Sequence, residues 1–126
     1  MLLKDYIPNL NKKYNDTFFS GISFDSSKVK KKNIFFAIKG NKFDGNNYID
    51  KAIRKGASVI VTEKKLTNKR ENIVFLRSSN IRKLLANVSY KILDKKPTKL
   101  VAVTGTNGKS SIADFFYQIL NINSKK

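Results

Sequence analysis

The sequence predicts an α/β protein, and three observations carry that prediction. Short apolar runs rich in aromatic and β-branched residues recur along the chain. Between them lie segments whose apolar residues repeat at helical spacing. Near the C-terminus a further apolar run breaks into glycines and opens onto an amphipathic stretch, as in a strand–loop–helix unit.

Taken in order, residues 18–25 (FFSGISFD) and 33–38 (NIFFAI) read as strands. In NNYIDKAIRKGA, Ile49, Ala52 and Ile53 stand at helical spacing, and Gly56 is placed to stop the helix. Residues 58–63 (SVIVTE) and 72–77 (NIVFLR) are two further buried strands, joined by the polar surface connection KKLTNKRE. Residues 79–94 give the clearest helix. Ser79 or Asn80 can cap it, and Ile81, Leu84, Leu85, Val88 and Ile92 form one apolar stripe. Pro97 cannot continue a helix, so residues 94–97 read as a linker. The expected domains are therefore 1–96 and 97–126. The second holds a strand over 99–104, a glycine loop and a helix over 109–120 that carries Ile112, Phe115, Phe116, Ile119 and Leu120.

Composition narrows the class. The 126 residues, 40% of them hydrophobic, suffice for a packed core. There is no cysteine or histidine, which removes disulfides and zinc-type sites. No apolar run approaches the roughly 18 residues of a membrane helix, and the start, MLLKDYIPNL, is broken by charges and a proline. A cytoplasmic chain without membrane insertion is expected. The net charge of +17 raises a nucleic-acid reading. However, the cations are 22 lysines against 4 arginines, spread along the chain, and they accompany 14 asparagines and 13 isoleucines. That pattern fits an A/T-rich coding bias and a solvated surface, so no nucleic-acid partner is expected.

The stretch VAVTGTNGKSS, residues 101–111, carries the chemistry. The full Walker pattern needs a glycine where Val103 stands. The shorter form, Gly105-x-x-Gly108-Lys109-Ser110, still suits a phosphate. Glycines let backbone N–H groups crowd an anion at a helix N-terminus. Lys109 is placed to reach the β- and γ-phosphates, and the Ser110 hydroxyl can ligate Mg²⁺. An ordinary glycine turn is the plain alternative. The apolar run before the loop and the amphipathic helix after it favour an ATP-type site.

With those residues in view, TGTNGKSS after KLVAV resembles the ATP loop of the Mur ligases, which build the peptide of bacterial peptidoglycan. Upstream, FDSSKVKKKNIFFAIKGNKFDGNNYIDKAIRKGASVIV is similar to that family's N-terminal pattern. The pattern runs D-S-R-x-V, then G-D-L-F-V-A-x-x-G-x-x-x-D-G-H-x-[FY]-I, then A-x-x-x-G-A. Within the family, SNIRKLLANVSYKI and the loop look most like the branch adding the third residue, diaminopimelate or lysine. The branch adding D-Ala-D-Ala, and a stand-alone basic nucleic-acid-binding module, are the rivals.

The resemblance implies a small N-terminal UDP-sugar-binding domain, followed by the first strand–loop–helix unit of a P-loop ATP-binding domain. It implies ATP and Mg²⁺ as cofactors and a UDP-N-acetylmuramoyl dipeptide as substrate, ligated through an acyl phosphate. By position, Phe24 and Ser26 match uridine-contacting residues, and Asn41, Lys42 and Phe43 match the loop holding the UDP-sugar. Gly105, Thr106, Asn107, Gly108, Lys109, Ser110 and Ser111 match the ATP loop, with Lys109 catalytic. On the residues alone, Ser26 is a turn hydroxyl and Asp44–Gly45 a tight turn. There are departures. Ser27 stands for the family's arginine, Asn46 for its histidine, and KKN for its proline–glycine. The chain reads as the N-terminal piece of a longer ligase. It is expected to be inactive alone, and monomeric unless the exposed end of the piece self-associates.

Overall fold

A computed structural model describes residues 1–65 and 70–124, with side-chain surroundings given through residue 122. Part of the expected surface connection, residues 66–69, lies outside the described residues. The chain divides into two compact units, Met1–Asp94 and Lys95–Lys126.

The first unit is built on four parallel strands, β1 (Gly21–Ser23), β2 (Asn33–Phe36), β3 (Val59–Thr62) and β4 (Val74–Arg77). Their spatial order is their sequence order, with Ile22 beside Ile34, Phe35 beside Ile60, and Ile60 beside Phe75. β2 and β3 are buried along their whole length, which explains the apolar triplets over 34–36 and 59–61 that make up most of each. The two-residue pleat divides these side chains between two cores. Ile34, Phe36, Val59 and Val61 pack on one side with Leu3, Phe19, Ile81 and Val88. Phe35 and Ile60 pack on the other with Val29, Ile49 and Ala52.

Three helices cover these faces. α1 (Leu3–Tyr6) and α3 (Ile81–Ile92) lie in the first core, with Tyr6 edge-on to Phe19 at 5.2 Å between ring centres. α2 (Ile49–Arg54) covers the second. The cap of α3 is Asn80, whose side chain accepts from Lys83 N at 2.9 Å, satisfying one of the helix's free donors. Gly56 follows α2 at φ +103 and lies against the Lys31 backbone, where a Cβ would come within 2.9 Å of Lys31 Cα. The strands are shorter than the apolar runs because only the central residues find ladder partners. α1 carried no periodic signal, being a single turn.

The second unit contains α4 (Lys109–Ser124), which runs beyond the expected 120. The strand expected over 99–104 is absent, and these residues are irregular. An extended segment becomes a strand only by pairing. Among the described residues this unit holds no other strand, so the apolar run has nothing to pair with.

Candidate functional site

The carboxyl ends of parallel strands leave a crevice where ligands collect. Here β1 ends at Ser23 and the chain turns through Phe24, Asp25 and Ser26. β2 ends at Phe36 and leads into the loop that carries Phe43, Gly45 and Tyr48. Together with Phe35 and Lys51, these residues line a cleft of about 400 Å³. Three of the five residues matched to UDP-sugar contacts, Phe24, Ser26 and Phe43, therefore meet in one place. Asn41 and Lys42 are exposed in the same loop but do not line the cleft.

The local chemistry explains how this wall is held. In the first turn, Ser23 Oγ donates to the Asp25 carbonyl at 2.7 Å. The Asp25 carboxylate accepts from Ser27 N at 2.8 Å and Ser27 Oγ at 2.7 Å. These Ser27 donors hold the Asp25 carboxyl below its ordinary range. The residue standing for the family's arginine thus becomes part of an Asx turn. Ser26 is buried against the cleft, and its hydroxyl has no hydrogen-bond partner among the described residues.

The second loop is stapled by an antiparallel bridge between Lys39 and Asp44 and by Gly40 N donating to the Phe43 carbonyl at 2.8 Å. Asp44 caps the 3₁₀ turn Gly45–Tyr48, accepting from Asn46 N at 2.9 Å and from Asn46 Nδ2 at 2.6 Å. Lys64 adds an ion pair at 2.9 Å. The Asn46 donors, followed by Lys64, lower the Asp44 carboxyl to about 2. Asn46 Oδ1 in turn accepts from Thr62 Oγ1 at 2.6 Å, tying the turn to the end of β3. At Gly45 a Cβ would come within 2.6 Å of the Ile38 carbonyl oxygen, so the turn closes only around a glycine.

What the cleft offers a ligand is aromatic surface. Phe24 is 67% exposed and Phe43 71%, far more than large apolar side chains usually tolerate. Both can therefore cover a flat ring. Lys51 supplies a cation beside them. The residue reading missed Tyr48 and Lys51. Tyr48 could have been found, since it occupies the [FY] position of the quoted pattern. Lys51 had no signal, because only the placement of α2 brings it to the cleft.

The phosphate loop is described by itself. Gly105 and Gly108 take φ of +152 and +74, values that favour glycine, and α4 begins at the next residue, Lys109. The Lys109 ammonium donates to the Gly105 carbonyl and, at 3.1 Å, to that of Thr106, so the loop closes on its own lysine. Thr106, Asn107, Ser110 and Ser111 are exposed around it. Among the described residues no three His, Cys, Asp or Glu side chains form a metal cluster. Ser110, the hydroxyl expected from sequence to meet Mg²⁺, stands next to Lys109, with Ser111 and Thr106 as further exposed hydroxyls of the loop. Of the described helices, none is long and apolar enough to cross a membrane.

Comparison with known proteins adds three findings. A family profile described as "Mur ligase family, catalytic domain" matches residues 19–93. The UDP-N-acetylmuramoyl-L-alanyl-D-glutamate--2,6-diaminopimelate ligase of Rickettsia prowazekii is 36% identical over 118 residues, covering 94% of this chain and 24% of its own. The UDP-N-acetylmuramyl-tripeptide synthetase of Borrelia garinii is 37% identical over 109 residues, covering 83% of this chain and 22% of its own. The chain thus spans about a quarter of the length of these curated relatives. Among solved structures, a D-alanyl-D-alanyl-adding ligase from Acinetobacter baumannii aligns with a TM-score of 0.47 at 25% identity, over 67% of this chain and 17% of that one.

Proposed function

The chain belongs to the Mur ligase family, and from that premise we propose that it holds the substrate-receiving part of a cytoplasmic, ATP-dependent ligase. The ligase adds the third residue, diaminopimelate or lysine, to a UDP-N-acetylmuramoyl dipeptide. The relatives' names support that branch over the one adding D-Ala-D-Ala. One observation carries the reading: Phe24, Ser26 and Phe43, matched to the family pattern from sequence, line one cleft at the carboxyl ends of β1 and β2.

In this reading Phe24 and Phe43 cover the uracil ring, and Ser26 offers its hydroxyl to the uridine. Tyr48 completes the aromatic wall, while Lys51 and Lys42 attract the diphosphate. Their task is to hold the nucleotide so that the distant peptide carboxylate is presented in one orientation. At the other end, Gly105 to Ser111 receive ATP, with Lys109 exchanging its loop carbonyls for phosphate oxygens and Ser110 contributing to Mg²⁺. Bound there, ATP would supply the γ-phosphoryl group that activates the peptide carboxylate, ADP being left behind, and inorganic phosphate would leave as the incoming amine forms the amide.

The test is an NMR titration with UDP-N-acetylmuramoyl-L-alanyl-D-glutamate. Amides of Ser26, Asn41, Phe43 and Tyr48 should shift, and uridine diphosphate alone should reproduce the shifts at Ser26 and Phe43. An unchanged spectrum at millimolar ligand would overturn the assignment, as would equal shifts with guanosine diphosphate.

A further inference from the structure

Opposite the cleft, at the amino ends of the strands, the fold gathers charge that is scattered in sequence. Lys30, Lys31 and Lys32 form the turn entering β2, and Arg54 and Lys55 end α2. The two segments meet at Gly56, whose carbonyl accepts from Lys32 N at 2.7 Å and which leaves no room for a side chain against Lys31. The turn is pinned from the β1 side as well. Ser20 N donates to the Lys32 carbonyl at 3.0 Å, and Ser20 Oγ donates to that of Lys31 at 2.6 Å. All five cations are exposed; Lys55 Nζ donates to the Ser27 carbonyl at 2.6 Å, and none of the five pairs with a carboxylate among the described residues. The fold thus turns a dispersed excess of lysine into a local positive field that attracts a partner of opposite charge.

The partner's shape follows from what surrounds the charges. Among the described cavities of the unit, none is lined by these five residues, whereas a nucleic-acid single strand is held by a basic groove with stacking aromatics. Four of the five cations are lysines, point charges suited to diffuse phosphates rather than forked recognition. Beside them stands Phe18, 50% exposed, with Lys32 Nζ 5.6 Å from its ring centre. A basic face edged by an exposed aromatic matches the headgroup region of a membrane.

We propose that this amino-end face docks on an anionic lipid bilayer, peripherally and without insertion of a helix. The cleft opens at the opposite ends of the strands, so docking leaves it free. The proposal is independent of what the cleft binds.

The test is co-sedimentation of the 126-residue chain with phosphatidylglycerol–phosphatidylcholine vesicles, and with pure phosphatidylcholine, near physiological salt. Each lysine at an anionic surface contributes roughly a fivefold change in partitioning. Replacing Lys30, Lys31 and Lys32 with glutamine should therefore weaken binding roughly a hundredfold. The control Lys39→Gln, Lys83→Gln, Lys99→Gln carries the same net charge and should lose less than roughly tenfold. Phe18→Ser should weaken binding without altering its salt dependence. Far-UV circular dichroism checks the fold. Should the triple variant melt early, Arg54→Gln combined with Phe18→Ser reads the same face from other segments. Equal losses in patch and control variants would overturn the proposal, as would no preference for anionic vesicles. Tighter, patch-dependent binding to duplex DNA than to vesicles would assign the face to nucleic acid instead.

Discussion

Gly45 and Asp44 set the shape of the cleft at the scale of single residues. An alanine at 45 would press its Cβ into the backbone of Ala37 and Ile38, which cannot yield as a flexible side chain could. Gly45→Ala should therefore cost about 1–3 kcal/mol, as overpacking does, read as a lowered melting temperature. It should also weaken uridine-nucleotide binding, because Phe43 and Tyr48 flank the distorted turn. Asp44 gives a pH dependence of definite sign. Its carboxyl sits at about 2 in the fold and at about 3.9 when unfolded. The folded state thus favours the charged form, and the contribution is fully present above about pH 4 and disappears as pH falls through about 2. Thermal melts between those values should fall for the native chain and fall less steeply for Asp44→Asn. Asp44–Gly45 was legible in the sequence as a tight turn. The Asn46–Thr62 bond that secures it was not, since it joins residues whose proximity only the sheet creates.

Elements were legible wherever their signal was local. The stripe of α3, its Asn80 cap and the Gly56 stop need only neighbouring residues to be read, and each is present in the structure. The strand over 99–104 failed for the complementary reason: apolar, β-branched sequence supplies propensity, but ladder bonds require a second strand. This has a consequence for the phosphate loop. A cradle for nucleotide phosphates relies on a fixed strand leading into its turn. Here Leu100 is 82% exposed, the approach is irregular, and the Lys109 ammonium is held by loop carbonyls. In this chain Mg-ATP binding should be millimolar at best, and Lys109→Ala should leave it unchanged in calorimetry. Micromolar binding lost in Lys109→Ala would show that the loop is already a working cradle.

For the whole molecule, both cores of the first unit are complete by Ile92. Residues 1–94 alone should therefore keep the melting transition of the full chain, with removal of α4 changing solubility rather than the midpoint. The exposed Ile112, Phe115, Ile119 and Ile122 along α4 make a solubility gain the expected sign. The strand order was not legible in the sequence, because an apolar run does not say which other run it will pair with. That order bears on how the chain is made. Each strand joins the one synthesised just before it, Gly21 meeting Asn33, Ile34 meeting Val59, and Val59 meeting Val74. A contact that reaches far back comes late, when α3 closes on α1 and Lys91 Nζ donates to the Asp5 carbonyl at 2.9 Å. Assembly can thus proceed vectorially from the ribosome, with a growing sheet whose newest edge stays open until its successor emerges. In nascent chains of increasing length, protease resistance should rise in one step once α3 has cleared the exit tunnel, latching the first unit before the remainder of the polypeptide is translated.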